Sequence, residues 1–550
     1  MNRYYYYFLF LLSTAIIYTG CANPFKDIDI RIDTNIFKYT AVVEVFSNTG
    51  EPISNATVTL RGKDADKIYN AEGKKEFKVS GGMLLLALDP KVSPQAGSPV
   101  TFSVDITAND YLSVNIPVTI NAENLSTMVS ATMINTKNLS QGLNIKTSTV
   151  TLGANGATTA PVVINTATSN GVTETVSIAL PAGTQFKDAQ GNIVNAGPLA
   201  VKTLVANTSS NDVQDLFPGG GLSLSQIKTA SGATSSGNLL PAALTEVSMS
   251  AGNTSIKSFN QPIQITLQLD QNYFNPLTNA TVKEGDQLQV YSYSADQGIW
   301  TFENTGLVVK ESGKLALKLN TTHLTWFTAG AMVSSCTNDF KIQFNASWLS
   351  NGITHPVTYK VFSVANGAKD KQLATGKFTV TNGTEGNLNK LPSSAVIISY
   401  YDVEGNELAA QNIANPCSIG SVLAVTLNTS PVAGNPKVTM QLYVRCPNNK
   451  NPVTLLPTFY LYYKDAGAPT TAFKLLGTVT KGYISTTLLS TSKPYDFKAV
   501  WGSYVKLASN KTVSVDNAAT VGDGPNEIIG TMAGATNLEM LKEVCKENGY

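Results

Sequence analysis

The sequence predicts an all-β protein of tandem β-sandwich domains, Ig-like or transthyretin-like, with one short C-terminal helix. Charged residues make up only 14% of the 550 residues, against roughly 25% in ordinary soluble domains. Uncharged Thr, Ser, Asn and Gly take their place, which favours strands and turns over solvated helices. Apolar residues alternate with polar ones in short runs between Gly-, Asn- and Pro-containing turns. The length allows several domains, each with its own core.

The charge balance excludes one class of partner. There are 39 Lys and Arg residues against 38 Asp and Glu residues, which leaves a formal net charge of +1. Proteins that bind nucleic acid neutralise phosphates with a clustered excess of Lys and Arg. We therefore expect no nucleic-acid partner.

Residues 1–20 have the pattern of a secretion signal. Arg3 precedes the apolar stretch 8–17, which is too short to span a bilayer core of about 30 Å. The residues that follow are Tyr18, Thr19, Gly20 and Cys21. They resemble the lipobox of bacterial lipoproteins, in which small residues precede a cysteine that becomes lipidated and N-terminal.

This resemblance implies a membrane partner and a cellular location. Cys21 would carry the lipid anchor, and residues 21–35 would form a tether. The protein would then be an outer-membrane lipoprotein of the cell envelope. Whether it faces the cell exterior is left open. The alternative is an ordinary signal peptide in which Cys21 is incidental.

The remaining cysteines fit an exported protein. They are Cys336, Cys417, Cys446 and Cys545. Four cysteines allow three pairings. Sequential pairing is favoured because it places one disulfide, Cys336 with Cys417 and Cys446 with Cys545, in each of two domain-sized segments. No Cys-x-x-Cys pair exists and His323 and His355 are the only histidines, so we expect no metal site and no cofactor.

The first module is predicted over residues 36–135, with two strands around a turn in residues 40–60. The positions that carry the pattern are Val43, Val45, Gly50, Pro52, Asn55, Ala56, Val58 and Leu60. Their order resembles the carboxypeptidase-regulatory-like and transthyretin-like β-sandwiches of bacterial surface proteins. That resemblance implies a passive sandwich that carries other modules.

A second region is predicted over residues 146–330, with a flexible Gly/Ser-rich loop at 207–241. Its motifs are a Leu-Pro-Ala-Gly-Thr turn at 180–184, Pro-Ile-x-Ile at 262–265, Gly-x-Trp at 298–300 and Thr-His-Leu-Thr at 322–325. Their order resembles the paired sandwich modules of netrin-receptor and ankyrin-type proteins.

The last third divides into an Ig-like β domain at 336–430 and a β domain at 436–550. The helix is predicted at the end of the second of these. Thr536 and Glu539 form a capping box, and Leu538, Leu541 and Cys545 recur at helical spacing.

Candidate chemistry is sparse. His323-Leu324-Thr325 resembles the His-Leu-Thr cleavage site of adhesion-receptor autoproteolysis modules, in which His323 would be the base and Thr325 the nucleophile. The alternative is that these residues belong to an ordinary strand at the end of the domain, with the His323 side chain hydrogen-bonded. The run 459–463 is two-faced, so Tyr460, Tyr462 and Tyr463 are the candidates for a contact surface.

These patterns predict a non-catalytic, lipid-anchored scaffold with a structural or adhesive role, a string of sandwiches that supports a binding surface. Two alternatives of other classes stay open. One is a glycan-binding accessory protein for polymer capture, and the other is a surface protein that cleaves itself between Leu324 and Thr325. A protein or a glycan is left open as the ligand.

Overall fold

The computed structural model describes residues 30–33, 37–53, 55–71, 73–95, 98–122, 125–194, 197–210, 216–219, 221–294, 298–349, 352–446, 453–456, 458–501 and 504–521. Within these ranges the chain is almost entirely β-strand, so the all-β prediction is confirmed. The only helices there are the short 3-10 helices Ala65–Lys67, Pro416–Ser418 and Thr470–Ala472. None of these could cross a bilayer. Cys21, Cys545 and the predicted C-terminal helix lie outside the described residues.

Unit 1, residues 37–136, is a sandwich of two facing sheets. Strand β1 (Ile30–Asp33) precedes it and belongs to a sheet of unit 4. The strands of unit 1 are β2 (Thr40–Ser47), β3 (Thr57–Arg61), β4 (Ile68–Asn70), β5 (Met83–Leu88), β6 (Val100–Thr107), β7 (Val114–Ile120) and β8 (Ser126–Met133). The sheets have the orders β4-β5-β2-β8 and β3-β6-β7. The predicted neighbours β2 and β3 lie in opposite sheets, because residues 48–56 cross from one layer to the other.

Unit 2, residues 143–334, is a larger sandwich. Its strands are β9 (Leu143–Val150), β10 (Val162–Asn165), β11 (Val176–Leu180), β12 (Phe186–Lys187), β13 (Leu199–Ala206), β14 (Ser223–Lys228), β15 (Thr234–Ala251), β16 (Thr254–Ile256), β17 (Ser258–Gln268), β18 (Phe274–Asn275), β19 (Ala280–Thr281), β20 (Gln287–Ser294), β21 (Ile299–Leu307), β22 (Val309–Glu311), β23 (Lys314–His323) and β24 (Trp326–Ser334). One sheet has the order β10-β11-β17-β23-β22 with β12 on β17. The other has the order β14-β21-β20-β24-β15-β13-β9 with β16 on β15. One apolar core lies between the two sheets, whereas the resemblance implied paired sandwich modules in this region.

The prediction of a flexible loop over 207–241 is wrong for its second half. β14 and the start of β15 form a hairpin there. Leu224 and Ile227 are buried on one face, and Gly232 has a φ of +79° in the turn. A side chain at Gly237 would meet the sulfur of Met332. Glycine in this segment therefore serves a turn and a close strand contact rather than flexibility.

Unit 3, residues 336–427, carries a disulfide between Cys336 and Cys417, the first of the two pairs favoured by the sequence. Its strands are β25 (Phe340–Asn345), β26 (His355–Ala365), β27 (Ala368–Val380), β28 (Glu385–Leu388), β29 (Val396–Tyr401), β30 (Glu407–Ile413) and β31 (Leu423–Thr426). The sheets have the orders β28-β25-β31 and β27-β26-β29-β30. The core of unit 3 is continuous with buried residues of unit 2, including Leu240 and Trp300.

Unit 4, residues 438–521, is completed by the N-terminal strand. Its strands are β32 (Val438–Cys446), β33 (Val453–Leu456), β34 (Phe459–Asp465), β35 (Lys474–Val479), β36 (Tyr483–Thr486), β37 (Tyr495–Trp501), β38 (Tyr504–Lys511) and β39 (Asp516–Val521). The sheets have the orders β35-β34-β37-β38 and β1-β33-β32-β36, with β39 on β32. β1 pairs in parallel with β33, so Ile30 lies opposite Val453.

The four units form one packed body rather than the expected string. Unit 1 packs against units 3 and 4 at the junction described below. Unit 3 meets unit 4 where the Thr354 amide donates to the Ser485 carbonyl at 3.2 Å. It meets unit 2 where the buried Lys371 ammonium donates to the Thr208 carbonyl at 3.1 Å.

The disulfide of unit 3 should contribute substantially to stability. Replacing both Cys336 and Cys417 with alanine opens a loop with a sequence separation of 81, which should lower the free energy of unfolding by about 4 to 5 kcal/mol in the chain-entropy model. Urea unfolding of the native and double-variant proteins measures this loss. A double variant as stable as the native protein would contradict the expectation, and the effect of reductant on that variant gives the share due to other cysteines.

Candidate functional site

Strand β2 is buried on both faces. Ala41, Val43 and Val45 point into the core of unit 1. Because strand side chains alternate, Val42 and Glu44 point the other way. There Val42 packs against the outer face of unit 4, in a cluster of Val42, Met83, Tyr460, Tyr462, Leu475 and Val500.

The Glu44 carboxylate joins three units. It is 2% exposed and forms an ion pair with Lys377 of β27 in unit 3. The Tyr462 hydroxyl of unit 4 donates to Glu44 Oε1 at 2.8 Å, and the Ser130 hydroxyl of the neighbouring β8 donates to Oε2 at 3.0 Å. We name these four residues the three-unit junction.

The junction holds its carboxylate ionised. Burial alone raises the pKa of Glu44, but the charge of Lys377 and the three hydrogen bonds outweigh burial and leave the pKa below its usual value. Lys498 lies nearby, with its ammonium 4.6 Å from the Tyr462 ring centre and 3.1 Å from the Gly81 carbonyl oxygen. Burial lowers the pKa of Lys498 to about 8, against the attraction of Glu44.

The three candidate tyrosines are buried, which corrects the expectation of an exposed contact surface. Tyr460, Tyr462 and Tyr463 are 6%, 2% and 7% exposed. The strand is two-faced as predicted, with Tyr463 in the core of unit 4. The other face, however, meets unit 1: Tyr460 bonds Ser126, and Tyr462 bonds Glu44. Tyr460 and Tyr462 therefore join unit 4 to unit 1 of the same chain, and Tyr463 is a core residue of unit 4.

His323 and Thr325 lie in a strand connection without the contact that autoproteolysis needs. The Thr325 hydroxyl donates to the Tyr293 carbonyl. The His323 ring instead lies 3.2 Å from the Thr321 hydroxyl and 3.5 Å from the Glu303 carboxylate. The structure thus does not bring the two predicted reactive groups together, and it matches the hydrogen-bonded alternative.

His355 is the second histidine and is fully buried in unit 3. Both ring nitrogens lack a hydrogen-bond partner among the described residues, and the ring packs edge-on against Trp348, with centres 5.2 Å apart. Burial lowers the pKa of His355 to about 4, although Asp402 attracts the protonated form. A neutral histidine in this position is a packing residue.

A cleft opens beside the three-unit junction and is a candidate site that sequence reasoning missed. Its volume is about 590 Å³, and it lies between β7 and β8 of unit 1 and β27 and β28 of unit 3. Ser130 and Lys377 of the junction form part of its wall. We name it the seam cleft. No trio of His, Cys, Asp or Glu in the described part of the chain could hold a metal ion.

Comparison with known proteins gives no family. No family description matches the chain, and no curated protein does. Among solved structures it is similar to the Bacillus anthracis TIE protein, with 11% identity and a TM-score of 0.12 over 70% of this chain and 59% of that one. It is similar to BcpA, the major pilin subunit of Bacillus cereus, with 10% identity and a TM-score of 0.13 over 71% of this chain and 99% of that one. The chain spans about three fifths of the length of the TIE protein, and similarities this weak do not indicate a function.

Breaking the three-unit junction should destabilise the protein. Glu44→Ala leaves the partly exposed Lys377 ammonium and the buried Tyr462 hydroxyl without their acceptor, so the free energy of unfolding should fall by about 2 to 3 kcal/mol. Replacing both charges, Glu44→Leu with Lys377→Met, should recover part of that loss, because no ammonium group is then left without its partner. Urea unfolding measures both.

The matched control is Glu51→Ala. Glu51 is an exposed glutamate of the same unit that accepts one hydrogen bond from Thr470, and its loss should cost about 0.5 kcal/mol or less. If Glu44→Ala lowered the free energy of unfolding no more than Glu51→Ala does, the junction would not be especially important for stability.

His355 should make stability sensitive to acid. Its pKa falls from 6.5 to about 4 on folding, so the unfolded chain binds the extra proton between those values. The free energy of unfolding should therefore have its full value above pH 6.5 and should fall by roughly 3 kcal/mol as the pH decreases from 6.5 to 4.

Urea unfolding across this pH range should show a weaker acid dependence in His355→Leu than in the native protein. The His323→Leu variant removes the other histidine and is the matched control. Equal slopes in the native protein and His355→Leu would rule out His355 as the source.

Proposed function

We propose that the chain is a lipid-anchored protein of the cell envelope, held on the outer membrane by Cys21, that acts as a non-catalytic structural or adhesive scaffold. The observation that carries this proposal is the three-unit junction. One buried carboxylate ties β2, β27 and β34 together across sequence separations of 333 and 418 residues. Such packing serves a protein that must hold a fixed shape.

The position of β1 supports a body that lies close to the membrane. Cys21 is nine residues before Ile30, and nine residues span at most about 30 Å. β1 pairs with β33 of unit 4. An anchor at Cys21 therefore keeps unit 4 near the bilayer, although it is last in the chain, and units 1 and 3 rest on it.

The contacts at His323 and Thr325 favour the scaffold over the self-cleaving alternative. A nucleophilic hydroxyl needs its base within hydrogen-bond reach, whereas the Thr325 hydroxyl donates to a backbone carbonyl. Trp300, one of the aromatic residues that a glycan site could use, is 0% exposed, and its ring nitrogen donates to the Pro218 carbonyl at 2.6 Å, so this residue is not available to stack on a sugar.

The anchor is tested by fractionation and intact mass. Native protein extracted from membranes should be one species that begins at an acylated Cys21, and Cys21→Ser should move the protein to the soluble fraction. A native protein found soluble and unacylated would refute the anchor. Two fragments that meet at Leu324 and Thr325 would refute the non-catalytic assignment.

The scaffold is tested on the soluble Cys21→Ser protein by small-angle scattering. A packed body of 550 residues should have a radius of gyration of about 24 Å. A string of four separate sandwiches would be markedly longer, and that result would contradict the packed scaffold.

A further inference from the structure

The seam cleft is lined by nearly buried polar side chains whose hydrogen-bonding capacity is only partly used by the protein. Asn121 of unit 1 and Gln372 of unit 3 are 5% and 9% exposed. The Asn121 carbonyl oxygen accepts from Asn389 at 3.1 Å. Among the described residues, neither the Asn121 amide nitrogen nor the Gln372 amide has a hydrogen-bond partner. Buried polar groups are normally satisfied, so these amides are available to a ligand with hydroxyl groups.

The cleft also holds an unpaired ammonium group. Lys390 lines the cleft, and no described carboxylate forms an ion pair with it. Burial lowers the pKa of Lys390 to about 8, with the charge of Lys63 adding to this effect and that of Asp339 opposing it. Of the other charged residues in the lining, Lys377 is paired with Glu44, and the exposed Glu385 carboxylate accepts one long hydrogen bond from the neutral Gln343 amide at 3.5 Å.

The backbone holds Lys390 in a fixed position. Its φ is +56°, in the left-handed region that non-glycine residues rarely adopt. Its carbonyl oxygen accepts from the Ser223 hydroxyl at 3.2 Å and from the Asn238 amide at 3.1 Å, both from unit 2. Strain that is held by a neighbouring unit is typical of positions that serve a function.

An aromatic pair completes the wall. The rings of Tyr359 and Phe378 lie 5.2 Å apart and are both half-buried in the cleft. Glycine makes room for each ring: a side chain at Gly376 would meet Tyr359, and one at Gly386 would meet Phe378, both at 2.7 Å. Aromatic faces pack against the apolar faces of sugar rings, while amides bond the hydroxyls.

We propose that the seam cleft binds a saccharide unit that carries a carboxylate, with Lys390 pairing the carboxylate and Asn121 and Gln372 bonding hydroxyls. Its volume falls within the range of small-molecule sites, about 300 to 1,000 Å³. This inference goes beyond the scaffold role and is independent of lipidation at Cys21.

An inserted peptide strand fits the cleft less well. β8 and β27 are both edge strands of their sheets and face each other, which is the arrangement that strand addition uses. A third strand between them would need a separation of about 9.5 Å, twice the spacing of paired strands. Cα atoms of β8 and β27 come within 8 Å of each other, so the seam is too narrow there.

Calorimetric titration of the full soluble Cys21→Ser protein tests the proposal with three probes. They are tetragalacturonate, its fully methyl-esterified form and a blocked hexapeptide with one glutamate. Tetragalacturonate should bind at least about tenfold more tightly than the ester, because only the acid can pair with an ammonium. Equal binding of acid and ester, binding of the peptide alone, or no binding of any probe would each overturn the proposal.

Two variants locate the site. Lys390→Met should abolish the preference for the acid while leaving binding of the ester intact. Gln372→Leu should weaken both saccharides. The matched control, Lys310→Met on the exposed strand β22, should change neither. Unfolding midpoints show that each variant is folded, and an unchanged preference in folded Lys390→Met would overturn the assignment.

Discussion

One buried carboxylate sets the arrangement of three sandwiches. Glu44 lies on the outer face of a central strand of unit 1, where a charge without partners would be costly. Ser130 of the same unit donates one hydrogen bond, and units 3 and 4 supply the other partners, Lys377 and Tyr462. A buried ion pair adds little stability over apolar packing, but it penalises every arrangement that leaves the charge alone. The junction thus acts on the specificity of the packing more than on its strength.

The low charge of the chain follows from this packing. Each sheet of an ordinary sandwich has one face exposed to solvent, but β2 and β34 are covered on both faces. Buried residues of unit 2 also share a core with unit 3. Surfaces that meet other units must carry apolar or uncharged polar groups. Hydroxyl contacts such as Ser126 with Tyr460 hydrogen-bond polar groups there without burying further charges.

The sequence predicts what is local. β6 and β7 alternate buried and half-buried residues throughout, because one face of each covers a core, and a period of two is visible in any short window. The Phe459–Asp465 strand was also visible as two-faced. What covers its second face depends on residues more than 300 positions away, and so does the parallel pairing of β1 with β33. Glu44 within the apolar run 42–46 was the one local signal of a buried charge, and no pattern pointed to the seam cleft.

The seam cleft is a consequence of how the edges are protected. A free edge strand invites pairing with another chain, and the structure turns the edges of β8 and β27 toward each other across the seam. Two twisted sheets cannot stay in contact along their full length, so the edges separate beside the junction. The space between them is lined by side chains from both units, among them Asn121 of unit 1 and Gln372 and Lys390 of unit 3. The packing that shields the edges therefore also creates a polar, partly enclosed surface on which a small ligand could bind.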